Sequence, residues 1–132
     1  MPLPIGTWRI NVNGLLGDLV IETIDPKLAV VDGSLIGTSG LGTSFFRGTW
    51  NETSQCLTFV LVRPNAEGHP TFVPQFFRGL LFSTPMEPPA GHDILWTLVG
   101  SLWDTVQRGD LGIRGTARRN EFGWFAQLTQ VV

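Results

Sequence analysis

Apolar side chains recur along this chain with a period of two, the spacing of a pleated strand, and not with the 3.6-residue period of a helix. Phe77, Gly79 and Leu81 share one face, as do Ile94, Trp96, Leu98 and Gly100, while Ile10 and Asn11 fall on opposite faces. The segments are rich in Val, Ile, Thr, Phe and Trp, and glycine or proline interrupts them before a helical window can develop. Strands are predicted near 5–12, 18–24, 34–39, 44–50, 56–63, 71–82, 93–103, 110–118 and 122–130. Turn residues separate them: Asn13-Gly14, Asp25-Pro26, Gly40 to Gly42, Asn51 to Ser54, Pro64 to Gly68, Pro85 to Gly91, Arg108 to Asp110 and Arg119 to Glu121. A short helical turn is expected only at Asp104 to Arg108.

Strands joined by short turns form an antiparallel meander. The expected fold is all-β, a meander of eight strands (nine runs if residues 111–131 divide in two) closed into a barrel as one domain over residues 1–132. Closure removes the edges that such apolar strands would expose to aggregation. It also requires coiling, which glycine permits within a strand. Leu35-Ile-Gly37-Thr, Phe45-Phe-Arg-Gly48, Phe76-Phe-Arg-Gly79 and Ile113-Arg-Gly115 place glycine two residues after a large apolar side chain. The close match of the two Phe-Phe-Arg-Gly segments suggests equivalent places in the barrel.

Composition narrows the functional classes. The 132 residues are 42% hydrophobic and 15% charged, which excludes disorder. Nine Lys and Arg, of which one is Lys27, stand against eleven Asp and Glu, giving a net charge of −2. Neither nucleic acid nor an anionic membrane surface is an expected partner. Cys56, the single cysteine, forms no internal disulfide. Met1-Pro-Leu-Pro-Ile-Gly6 does not read as a signal peptide, and no apolar run approaches the roughly eighteen residues of a membrane helix. A soluble protein of a reducing compartment, the cytoplasm, is the expectation.

Several segments, taken in order, resemble the avidin/streptavidin family. Gly6-Thr7-Trp8 followed by Asn13-Gly14 is similar to that family's opening hairpin, and Asp32-Gly-Ser-Leu-Ile-Gly-Thr38 to its third strand. Phe45 to Trp50 resembles the fourth strand, Phe77-Arg78-Gly79 the sixth, and Ile94-Leu-Trp96-Thr-Leu98 the seventh. The resemblance spans nearly the whole chain. It implies an eight-stranded barrel, a ligand pocket lined by Trp96, and an oligomer. The polar groups that hold biotin in the family are largely not matched. Ile10 stands where the asparagine would be, Ser39 where the third-strand tyrosine would be, and the chain has no tyrosine at all. Each unpaired polar atom in a dry pocket costs about 1–3 kcal/mol, so tight biotin binding is not expected.

Catalytic and metal chemistry find little support. His69 and His92 are the only histidines, both in loops, and His92-Asp93 has no assignable nucleophile as its partner. Two isolated histidines and one cysteine lack the spacing of a metal site, and no cofactor is expected. The carboxylates are dispersed, mostly at turns. Arg47 and Arg78 occupy matching places, either as solvated outer side chains or at a subunit interface. Asn51-Glu-Thr53 fits a glycosylation sequon that an intracellular chain would not use.

Five tryptophans and nine phenylalanines are the most informative residues. Trp50, Phe77, Trp96, Leu98 and Trp124 are candidate inward residues, either packing the lumen or walling a ligand cavity. Ser39, Thr43, Gln75 and Thr97 are candidate polar groups at its mouth. The opposite faces carry Phe76, Leu80, Phe82, Leu95, Val99 and Trp103, which calls for a cover, most simply a second copy in a homo-oligomer, a dimer or tetramer. Three functions remain open at this point. The first is a non-catalytic barrel binding a small apolar or ring-shaped ligand. The second is a barrel enzyme that folds or isomerises an apolar substrate, discriminated by an inward Asp93 or Glu22. The third is a carbohydrate-binding or structural barrel with exposed Trp50 or Trp103.

Overall fold

The computed structural model describes residues 1–37, 42–64, 72–86, 93–108 and 116–130. Eight strands follow one another: β1 (Gly6–Val12), β2 (Leu15–Asp25), β3 (Val30–Ile36), β4 (Thr43–Asn51), β5 (Cys56–Pro64), β6 (Phe72–Pro85), β7 (Ile94–Arg108) and β8 (Thr116–Gln130). Each pairs antiparallel with the next, and β8 returns to β1, so the sheet closes into a barrel with strand order equal to chain order. Every pair of consecutive strands is a hairpin.

The turns form for local reasons. Asn13 and Gly14 both take positive φ (49° and 90°), the signature of a tight hairpin, and the Asn11 side-chain oxygen accepts the Gly14 N–H at 2.8 Å. Asp25 Oδ1 accepts the N–H groups of Lys27 and Leu28, and Asn51 Oδ1 accepts that of Ser54.

Two expectations are corrected. Asp104 to Arg108 is not helical: β7 continues through it, because Asp104 to Arg108 pair residue by residue with Asn120 to Thr116. Arg119 to Glu121 is not a turn but the interior of β8, paired with Thr105 to Trp103, so residues 116–130 make one strand. β3 also begins earlier than expected, at Val30, where Val30 and Val31 pair across to Asp25 and Ile24. Gly115 and the turn at 109–110 lie outside the described residues.

Inward residues follow the pleat. Trp8, Ile10 and Val12 of β1, Leu19 and Ile21 of β2, Phe46 and Trp50 of β4, Leu57, Phe59 and Leu61 of β5, and their counterparts on β6 to β8 form one buried cluster. The outer wall has two characters. Over β3 to β5 it carries polar pairs beside exposed Phe45 and Val60: Arg47 donates to Asp32 at 2.8 Å, and the Thr49 and Thr58 hydroxyls meet at 2.6 Å. That guanidinium bond, with Thr23 beside it, holds the Asp32 carboxyl below its ordinary value of 3.8. A depressed carboxyl stabilises the fold above its unfolded pKa, and the gain is lost as pH falls through the lowered folded value. Arg47→Met is therefore expected to raise the Asp32 midpoint toward 3.8 in an NMR titration; an unchanged midpoint would mean that the pair contributes nothing in solution. Over β5 to β8 the outer wall exposes Val60, Leu80, Phe82, Val99 and Phe125 among polar positions.

Candidate functional site: an aromatic floor beneath a polar mouth

The two Phe-Phe-Arg-Gly segments lie on β4 and β6, on either side of β5, and each sends its second phenylalanine inward. Phe46 and Phe77 sandwich Phe59 of β5, with ring centroids 4.1 and 4.6 Å away and planes within 18° of parallel. Trp124 of β8 meets Phe59 and Phe77 edge-on at 6.3 and 5.9 Å. The glycines make this possible. A small lumen cannot hold a large side chain from every strand, and Gly33 and Gly79 leave room for the rings of Phe46 and Trp124. A Cβ on Gly33 would stand 2.7 Å from Phe46, and one on Gly79 would stand 2.6 Å from Trp124. The repeat in the sequence is therefore a repeat of packing around a common central ring.

The two ends of the barrel differ. At the end bearing the β2–β3 and β4–β5 turns, the N-terminal segment folds across the opening. Leu3 is buried in the core cluster, the Met1 carbonyl accepts from Gln55 Nε2 at 2.9 Å, and the Pro4 carbonyl accepts from Trp8 Nε1 at 3.3 Å. Trp50 and Trp96 lie toward this closed end, with their indole N–H groups donated to Glu52 (2.7 Å) and Gln130 (2.8 Å). Trp124 donates to the Ser101 carbonyl at 3.0 Å. Each of these indoles has a partner within the chain, so packing and not ligand recognition accounts for its polar handle.

At the other end, which carries the Asn13-Gly14 turn, half-buried polar side chains join the inward set beside buried Val12, Leu35 and Leu61. Gln75 of β6 stands directly opposite Asp104 of β7, two pairs beyond the Phe77–Leu102 level and on the same face, and Ser44 of β4 lies two residues before Phe46 on the same face. Phe122 of β8, paired with Leu102, completes the inward set there. Strands β7 and β8 continue beyond Asp104 at this end, pairing out to Arg108 and Thr116.

Among the residues proposed from sequence, Trp50, Phe77, Trp96, Leu98 and Trp124 all point inward and are buried, with Leu98 fully so. Gln75 is the one mouth candidate placed inward. Thr43 and Thr97 precede or follow inward neighbours by one residue and so face outward, and Ser39 lies outside the described residues. Ser44 and Asp104 were not foreseen. Ser44 follows from the inward setting of Phe46, whereas Asp104 was hidden by the expected helical turn. Glu22 is exposed, and Asp93 immediately precedes inward-facing Ile94 and is half-buried, so neither joins the inward set. His69 and His92 lie outside the described residues. Among the described residues no three His, Cys, Asp or Glu side chains gather as a metal set. A shallow outer depression near Thr23, Asp25 and Asp32 has its carboxylates already engaged, by backbone N–H groups of the turn and by Arg47.

The fold and this inner surface define the chain as a closed eight-stranded antiparallel barrel with an aromatic-filled centre. No protein family, curated protein or solved structure matches it.

Proposed function

We propose that the chain is a non-catalytic small-molecule-binding barrel, avidin-like in shape but not a tight biotin binder. Its ligand is a small, largely apolar or ring-shaped compound seated at the mouth beside the Asn13-Gly14 turn. The observation that carries this reading is the half-buried inward group of Gln75, Ser44 and Asp104 above the stacked floor of Phe59, Phe77 and Trp124. Such a setting combines a mainly apolar, aromatic interior with a few polar groups at its edge, the usual make-up of a small-ligand site. The ordered pieces that resemble avidins support the reading further. Against biotin stands Ile10, which is inward and buried where that family carries a polar partner, while Asn11 is spent on the turn.

Calorimetric titration of the full chain with 2-naphthol, a flat ring bearing one O–H donor, and separately with biotin, tests the proposal. The expected result is measurable heat with 2-naphthol and none with biotin. Gln75→Leu should weaken naphthol binding by about tenfold, the worth of one hydrogen bond in a sheltered site. Absence of naphthol binding, or binding untouched by Gln75→Leu, would overturn the mouth as the site. Tight biotin binding would overturn the claim that the pocket has changed its ligand.

A further inference from the structure

Residues 1–5 precede β1 and take part in no strand pairing among the described residues. Pro2 and Pro4 carry no N–H and hold φ at about −65°, which suits an extended, unpaired backbone of the polyproline kind. Gly6 joins this segment to β1 with φ at 145°, a conformation that other residues rarely adopt. Side chains of the barrel hold the segment in place. Leu3 is buried in the core cluster, whereas Met1 and Ile5 to either side are exposed. The carbonyls that bracket Leu3 each accept a side-chain N–H: Met1 from Gln55 Nε2 at 2.9 Å, and Pro4 from Trp8 Nε1 at 3.3 Å. The Ser83 hydroxyl meets Met1 Sδ at 3.4 Å, and the Met1 amine pairs with Glu52 at 2.7 Å, an exposed ion pair that adds little. Gln55 is the unusual member of this set. It occupies the β4–β5 turn with φ at 55°, where glycine would be free of strain, yet the residue there is one whose amide reaches the segment. Its Nε2 also donates to the Glu52 carbonyl and carboxylate, while its buried Oε1 has no partner among the described residues. A buried acceptor without a partner is costly, so the chain's own segment does not complete this corner.

We infer that the closed end is a recognition groove for an extended apolar peptide in which a leucine stands between two prolines. Residues 1–4 fill that groove in cis as an autoinhibitory stand-in. Side-chain donors that grip carbonyls on both sides of a buried apolar anchor are how aromatic-lined grooves read proline-rich strands. The main-chain contacts supply affinity, and the leucine site supplies specificity. Trp8, Trp50 and Trp96 are the buried aromatic residues of this end. The segment can leave without breaking a sheet hydrogen bond, so its release keeps all eight strands paired. This inference concerns the closed end and is independent of what the mouth binds.

Fluorescence polarisation of a labelled peptide, acetyl-Met-Pro-Leu-Pro-Ile-amide, titrated with the full chain tests it. The wild-type chain is expected to bind weakly, because its tethered segment competes at an effective concentration on the order of millimolar. Leu3→Asp should expel the segment, leave the far-ultraviolet circular dichroism of the barrel unchanged, and tighten peptide binding by about tenfold or more. Leu3→Ala should act in the same direction to a smaller extent. Adding Gln55→Gly, which suits the turn but removes the amide, should weaken binding to the Leu3→Asp chain by about tenfold. A peptide with aspartate in place of its leucine should not bind. Equal binding to the wild-type and Leu3→Asp chains, or binding to neither, would overturn the inference. So would loss of the barrel in both Leu3 variants, which would make residues 1–4 part of the core and not its ligand.

Discussion

Phe59→Ala is expected to lower the unfolding free energy by about 3–5 kcal/mol, the range for deleting a fully enclosed aromatic ring. Phe59 is the middle member of the ring column, flanked by Phe46 and Phe77 and touched edge-on by Trp124. Its removal leaves a void that no neighbour can fill without abandoning its own stacking partner. A domain of this size holds about 5–15 kcal/mol in total, so the variant should sit near the limit of folding. Phe45→Ala, one residue from the column but 75% exposed, is the control and should change stability by no more than about 0.5 kcal/mol. Urea denaturation of both variants checks the pair. Equal losses would mean that the column is not the centre of the core.

Gly79→Ala should cost about 1–3 kcal/mol although it adds a single methyl group, because that carbon would lie 2.6 Å from the Trp124 ring. The ring has little freedom to retreat, since its N–H is tied to Ser101 and its edge faces Phe59 and Phe77. Placing the same substitution in a Trp124→Leu background isolates the cause. There the added methyl should cost much less than in the wild-type chain, and a double-mutant cycle by denaturant unfolding reads the difference. Additive losses would show that Gly79 is required for its backbone and not for the space it leaves.

Much of this architecture is legible in the sequence because the relevant forces are local. The period of two, the Asn13-Gly14 turn and the glycines two residues after large apolar side chains predict a meander and its inward faces. The matched Phe-Phe-Arg-Gly segments predict equivalent positions, and Phe46 and Phe77 occupy them on either side of Phe59. The failures cluster where β7 and β8 outgrow the rest of the barrel. Asp104 to Arg108 and Arg119 to Glu121 carry the polar residues of a turn, yet they pair with each other as extended chain. A strand that rises beyond the apolar centre needs no apolar side chains, so its composition no longer distinguishes it from a loop. The same cause hid Asp104 from the mouth. Ser44 was missed for a simpler reason: a lone serine before an aromatic run reads as a boundary, and only the register shows it facing in.

The seam between β1 and β8 is short. Four residue pairs, Arg9 to Val12 with Gln127 to Trp124, join the two ends of the chain, whereas fifteen pairs join β7 to β8 and eleven join β6 to β7. The long hairpins require only local loop closure, whose entropic cost grows slowly with length, while the seam must bring together residues separated by nearly the whole sequence. Assembly is thus ordered by topology: the β6–β7–β8 meander is the part that contact order lets form early, and circular closure comes last. The ring column spans this history. On that ordering Phe59, Phe77 and Trp124 are expected to gather before the first strand brings in Trp8, Ile10 and Val12 of the same core cluster.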